Sequence, residues 1–146
     1  MQRQDGRRDR GQRRAAPVIV LVEDEPGLRS AWLLLLRDCG YITLEAPDGK
    51  LGLALIRSVK PDAVITDLVM PISDGFSLAQ AMRADEALRS VPIIAATGTT
   101  VSHDDEELFD IVLSKPFEPS ILLHNLAAIL VETGQTDRSV DVLLHS

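Results

Sequence analysis

The chain contains a single cysteine, Cys39, so no intrachain disulfide can form and a disulfide-stapled secreted scaffold is excluded. Long apolar runs are also missing. The longest, Ala31-Trp32-Leu33-Leu34-Leu35-Leu36, falls far below the roughly 20 residues that a membrane-spanning helix needs. The N-terminus is polar and arginine-rich where a secretory signal would carry an apolar core. A lone thiol with neither a signal nor a membrane span leads to the expectation of a reducing, cytoplasmic compartment. His103, His124 and His145 are scattered without metal-ligand spacing, and His124 reads as an ordinary helix histidine. There is no Walker A or dinucleotide glycine motif, no Ser/His/Asp arrangement and no internal repeat.

What is present is the composition of an ordinary globular protein, with 45% hydrophobic and 25% charged residues in 146. That length suffices for one domain with one real core. The net charge of −7 is unevenly distributed. Residues 1–16 carry six Arg against Asp5 and Asp9, a balance of +4, while the rest of the chain carries −11. The acidic body lacks the clustered cations that nucleic-acid phosphates require. The arginine-rich leader is read as a solvated, disordered tail.

From Pro17 onward, apolar runs alternate with helical patterns. Val18–Val22 is continuous, β-branched and of strand length, as expected for a strand buried on both faces. Pro26 near a first turn, with Asp24 or Glu25 as cap, predicts a helix to about Arg37, closed by Cys39-Gly40. Further strands are expected at Tyr41–Glu45, Asp62–Thr66, Val91–Ala96 and Ile111–Leu113. Helices are expected at Ala46–Val59, Phe76–Ala84 and Pro119–Val131, with only a weak one in the acidic stretch Asp104–Asp110. Strands alternating with helices imply right-handed βαβ units. The expected fold is α/β, a doubly wound five-stranded parallel sheet with helices on both faces. Domain organisation follows: a basic tail over 1–16, one globular domain over 17–132, and a tail over 133–146 whose Val140, Val142, Leu143 and Leu144 offer a docking surface.

Three strand ends carry ionisable groups. Glu23-Asp24 follow the first strand, Asp67 the third and Lys115 the fifth. Such groups are unfavourable at buried strand tips unless paired, metal-bound or placed in a crevice. In open α/β sheets the crevice beyond the carboxyl ends of the strands is where ligands bind. The matching chemistry is a divalent cation held by carboxylates beside an aspartate that accepts a phosphoryl group.

The order of motifs resembles the receiver domain of bacterial two-component response regulators. The resemblance rests on Val22-Glu23-Asp24-Glu25-Pro26, on Thr66-Asp67-Leu68-Val69-Met70-Pro71-Ile72-Ser73-Asp74-Gly75, on Ala95-Ala96-Thr97-Gly98 and on Ser114-Lys115-Pro116-Phe117. It spans about Pro17 to Val131 and implies a flavodoxin-like receiver fold. By resemblance, Asp67 is the phosphoacceptor, and Asp24 and Asp67 bind Mg2+ directly. Glu23 binds the ion through water, and Val69 lends its backbone carbonyl. Thr97 and Lys115 engage phosphoryl oxygens, and the Lys115–Pro116 bond is cis in relatives. The implied phosphate source is a histidine kinase or a histidine phosphotransfer protein in a two-component or phosphorelay system.

Two departures stand out. Val112 occupies the place where the family usually has Tyr or Phe, and the stretch from Thr97 to Lys115 is short, so the fourth helix should be brief. Output is then expected through Phe109, the acidic Asp104–Glu107 segment or the C-terminal tail. Relatives commonly dimerise through the face formed by the fourth and fifth elements, the part most altered here. With no DNA-binding or enzymatic output region recognisable in these 146 residues, the expected output is contact with a downstream protein, whether as a stand-alone regulator, a phosphate sink or relay intermediate, or a receiver excised from a larger protein. A haloacid-dehalogenase-type phosphatase would want a second Asp where Val69 stands, which argues against an enzyme and for a phosphoacceptor switch. A phosphorylation-independent interaction module on the same fold is the alternative.

Overall fold

The computed structural model describes residues 16–70 and 74–134, and both tails and the Pro71–Ser73 stretch of the third loop lie outside them. Five strands, β1 (Val18–Val22), β2 (Ile42–Ala46), β3 (Ala63–Thr66), β4 (Ile93–Thr97) and β5 (Ile111–Ser114), form one parallel sheet in the order β2-β1-β3-β4-β5. Five helices connect and close them: α1 (Pro26–Asp38), α2 (Gly49–Val59), α3 (Gly75–Ala84), α4 (His103–Glu106) and α5 (Pro119–Glu132). This is the doubly wound α/β architecture expected from the alternation of elements.

The period-two alternation of the strands divides the core into two layers. Ile19, Leu21, Ile65 and Ile94 face α1 and α5, where they meet Leu33, Leu36, Leu122 and Leu126. Val20, Val22, Val64 and Ile93 point the other way, against Ile56, Leu78 and Met82 of α2 and α3. Trp32 stacks on Phe117 with ring centroids 5.8 Å apart, which anchors the segment after β5 on α1.

Helix starts follow local chemistry. Glu25, rather than Asp24, caps α1, accepting from the amides of Gly27 (3.0 Å) and Leu28 (2.7 Å), with Pro26 in the first turn. Asp48 caps α2 through the Leu51 amide at 2.8 Å, so that helix begins at Gly49 and leaves Ala46 in β2. β4 begins two residues later than the apolar pattern suggests. Val91 is spent on a turn to the Leu88 carbonyl, and Pro92 has no amide to give a ladder. The helix α4 is a single turn capped by Ser102, and Asp110 instead accepts from the Ile93 amide at 2.7 Å.

Arg83 holds the far end of this region together. Its guanidinium donates to the carbonyls of Leu108 (3.0 Å), Arg89 (2.7 Å) and Val91 (2.9 Å) and pairs with Asp110 at 2.8 Å. One side chain thus ties the end of α3 to the starts of β4 and β5. Arg83→Ala leaves those groups without their charged donor and should lower stability by about 2 kcal/mol, read as a reduced midpoint in urea unfolding with unchanged slope.

Candidate functional site

β1 and β3 are hydrogen-bonded neighbours, with Val22 opposite Thr66. Their carboxyl ends therefore project Glu23-Asp24 and Asp67 into one crevice, at the point where the strand order reverses. Carboxylate oxygens of Glu23, Asp24 and Asp67 lie within 4.8 Å of one another. From β5, Lys115 extends its ammonium to 3.4 Å from Asp67 Oδ2 and 3.5 Å from Glu23 Oε1. Thr97 closes the set at the end of β4, between β3 and β5. The four ionisable groups and the threonine singled out from the sequence share one site.

Backbone contacts fix each group. The Asp67 amide donates to the Val22 carbonyl at 3.1 Å, while Asp67 Oδ1 accepts from the Leu68 amide at 2.6 Å and, more weakly, from Val69 at 3.4 Å. Gly75 packs directly beneath: a Cβ there would collide with the Asp67 carbonyl and come within 3.0 Å of Leu68 Cα. Only glycine permits this approach of α3 to the end of β3. The Lys115 amide donates to the Thr97 carbonyl at 2.8 Å, and the Lys115–Pro116 bond is cis, as in the relatives the sequence resembles. Thr97 is buried, and its Oγ1 accepts from the Thr99 amide at 3.1 Å, which leaves the hydroxyl proton to donate elsewhere.

Glu23 is the most constrained carboxylate. Its amide donates to the Ala46 carbonyl at 3.1 Å, its carbonyl accepts from Arg29 at 2.8 Å and its Oε2 accepts from the Glu25 amide at 3.1 Å. Burial pushes its pKa above the usual glutamate value. The Glu25 amide and Lys115 oppose that rise, and Asp67 adds to it. Val69 lies at the rim with its side chain largely exposed, 63% of it accessible, and apolar. Val112 packs into the α2–α3 layer of the core, and a recess of about 320 Å3 opens beside it between the β4–α4 connection and β5.

The sequence model of the response regulator receiver domain matches residues 19–127. The chain belongs to this family. Among curated relatives, it is 31% identical over 134 residues to the DNA-binding dual master transcriptional regulator RpaA of Synechocystis sp., covering 89% of this chain and 54% of that protein. The chain thus spans about half the length of the curated relatives it matches. Among solved structures, the chemotaxis protein CheY4 of Vibrio cholerae superposes with a TM-score of 0.72 at 30% identity, covering 80% of this chain and all of that one. The receiver domain of the sensor histidine kinase PA1611 from Pseudomonas aeruginosa, solved with a magnesium ion coordinated in its active-site cleft, gives 0.71 at 32% identity, covering 78% and 97%. Receivers are phosphoacceptor switches. Among the described residues no helix is long and apolar enough to cross a membrane.

Two contributors were not singled out in the sequence. Gly75 was passed over because its role depends on the fold bringing α3 against Asp67. Arg29 was missed although it carries a signal, namely a cation in the opening turns of a helix, where the dipole disfavours it.

The acidic cluster has a consequence for stability. Three carboxylates face one ammonium, and each like-charge contact at such distances is worth about 1 kcal/mol or more. In divalent-free buffer Asp24→Asn should therefore raise the thermal midpoint by a few degrees, while the further rise expected of the wild type on adding Mg2+ should be largely lost. Differential scanning calorimetry with EDTA and with Mg2+ checks both halves.

Proposed function

We propose that this receiver accepts a phosphoryl group on Asp67 from a phosphohistidine, with Mg2+ held by Asp24, Asp67, the Val69 carbonyl and, through water, Glu23. The observation that carries this reading is Lys115 bridging Glu23 and Asp67 within the same carboxylate cluster. The donor set fits the ion: clustered carboxylate oxygens are the hard ligands Mg2+ prefers, and three of them with one ammonium leave unbalanced negative charge for a cation to neutralise. When bound, Mg2+ supplies charge neutralisation on the transferring phosphoryl group.

The chain's own residues account for the rest. Asp67 provides the attacking oxygen, so a carboxylate O–P bond forms as the donor's N–P bond breaks and the histidine leaves with that electron pair. The Leu68 amide on Oδ1 orients the carboxylate without removing it from attack. Lys115, which lies beside Asp67, and the Thr97 hydroxyl stabilise charge on the equatorial oxygens as it develops. The added charge of about −1.5 to −2 then biases surfaces that a partner reads. The donor is a histidine kinase or histidine phosphotransfer protein, and output passes through contacts with a downstream protein. Phe109, an expected output element, is buried against Phe76, with centroids 6.0 Å apart, so a partner would read it only indirectly, through the surface around it. The C-terminal tail, the other expected element, lies outside the described residues. The one-turn α4 and Val112 favour a second reading, a docking module indifferent to phosphate.

Incubation with acetyl phosphate and Mg2+ separates the two. Intact mass should show one phosphoryl addition that requires both Mg2+ and Asp67 and disappears in Asp67→Ala. An unmodified, folded wild type that also fails with a histidine phosphodonor would leave the docking module.

The apolar rim adds a second expectation. Val69 offers no hydrogen bond to an attacking water, so the acyl phosphate should be long-lived. Val69→Asn should shorten its half-life several-fold, as followed by loss of the phosphoryl mass after donor removal. An unchanged half-life would mean that the rim residue does not control hydrolysis.

A further inference from the structure

Arg29 is the fourth residue of α1, and a positive charge there opposes the helix dipole. It is nevertheless largely buried, with 19% of its side chain accessible, and one of its two hydrogen bonds leads to the site. One guanidinium nitrogen, Nη1, donates at 2.8 Å to the Glu23 carbonyl. A second, Nε, pairs at 2.8 Å with Glu45 near the end of β2. The carbonyl it holds belongs to the peptide that joins Glu23 to Asp24.

The other bonds of Glu23 lie outside that peptide: its amide, which is part of the preceding peptide, is tied to Ala46, and its carboxylate to Glu25 and Lys115. The plane of the Glu23–Asp24 peptide determines where the Asp24 side chain leaves the backbone. Arg29 fixes that plane by clamping its oxygen, and Glu45 fixes Arg29. We propose that Arg29 is a positioning residue for the cation site, acting through the Glu23 carbonyl to hold Asp24 toward Asp67, with Glu45 as its orienting partner. The inference rests on the Mg2+ site of the preceding reading and adds the residues that shape it. A planar fork bridging two oxygens suits this task, whereas a lysine ammonium would hold one oxygen without fixing direction.

The charge of Arg29 makes the test sharp. By electrostatics alone, removing a cation next to a cation site should tighten Mg2+ binding. If Arg29 positions the site, its removal should weaken binding, because outer contacts of metal ligands typically carry about 10- to 100-fold in affinity. Isothermal titration of the full chain with Mg2+ alone reads the difference directly. Arg29→Gln is expected to weaken Mg2+ binding about 10-fold or more, and Arg29→Lys, with charge kept and fork lost, to weaken it as well. Phosphorylation by acetyl phosphate should recover at saturating Mg2+, so the defect lies in affinity rather than in the maximal rate.

Glu45→Ala provides a second route should Arg29→Gln fail to fold, since Glu45 is half-exposed and its loss only frees the guanidinium. It should also weaken Mg2+ binding, by a smaller factor, and become silent in the Arg29→Gln background. Unchanged or tighter Mg2+ binding in folded Arg29→Gln, or in Glu45→Ala, would overturn the inference while leaving the receiver chemistry intact. A wild type that binds no Mg2+ at millimolar concentration would overturn both.

Discussion

Everything in the site depends on crowding acidic side chains at the tips of two adjacent parallel strands. β1 and β3 run side by side, so Glu23, Asp24 and Asp67 have no freedom to separate; the ladder that pairs Val22 with Thr66 brings their carboxylates within 4.8 Å. Like charges at that spacing repel, and burial compounds the penalty by raising the pKa of Glu23. Lys115 offsets part of it from across the sheet, reaching over the end of β4 from β5. The remaining negative charge is what a bound cation would neutralise. The apolar layers on either face keep the strand ends from splaying, which is how the scaffold sustains an arrangement that is locally unfavourable.

The constraint also explains which parts of the molecule were legible in the sequence. Strands buried on both faces leave unbroken β-branched runs, so β1 and β3 could be placed to within a residue, and the charged residues that end those runs marked the crevice. Lys115 followed from the same logic, because its position depends on where a strand stops, whereas Thr97 was marked only by the resemblance of the ordered motifs to receiver domains. Element starts that rest on a cap were harder to place. Ala46 reads equally well as the last residue of β2 or the first of a helix, and the hydrogen bond from the Leu51 amide to Asp48 decides between them. Val91 and Pro92 extend the apolar run beyond the strand: Val91 closes a turn, and Pro92 cannot donate, although its carbonyl accepts from the Val64 amide at 2.9 Å.

Contacts between residues far apart in the chain were not legible. Arg83 looks like an ordinary basic residue in the last turn of α3, where such residues suit the dipole. Its function as a clasp depends on Leu108, Val91 and Asp110 arriving from two later segments. Gly75 reads as a helix-start glycine until the fold places the Asp67 carbonyl where its side chain would be. Arg29 differs from these in that its placement against the α1 dipole was visible beforehand. What the sequence lacks is the identity of the carbonyl and carboxylate that compensate.

The altered region between β4 and β5 shows the same principle applied to change of shape. In place of an aromatic ring on β5 there is Val112, packed into the core beside a recess. An aromatic contact of this region is instead made by Phe109, which meets Phe76 edge-on at 6.0 Å. Phe76 directly follows Gly75, and Gly75 lies against the Asp67 carbonyl and donates to the Leu68 carbonyl at 3.1 Å. A continuous line of packed groups therefore joins Asp67 to the end of α4 on the α2–α3 side of the sheet, without passing through β5. The Arg83 clasp pins both the end of α3 and the start of β5 behind that line. The single-turn α4 adds only a few backbone bonds of its own to that region.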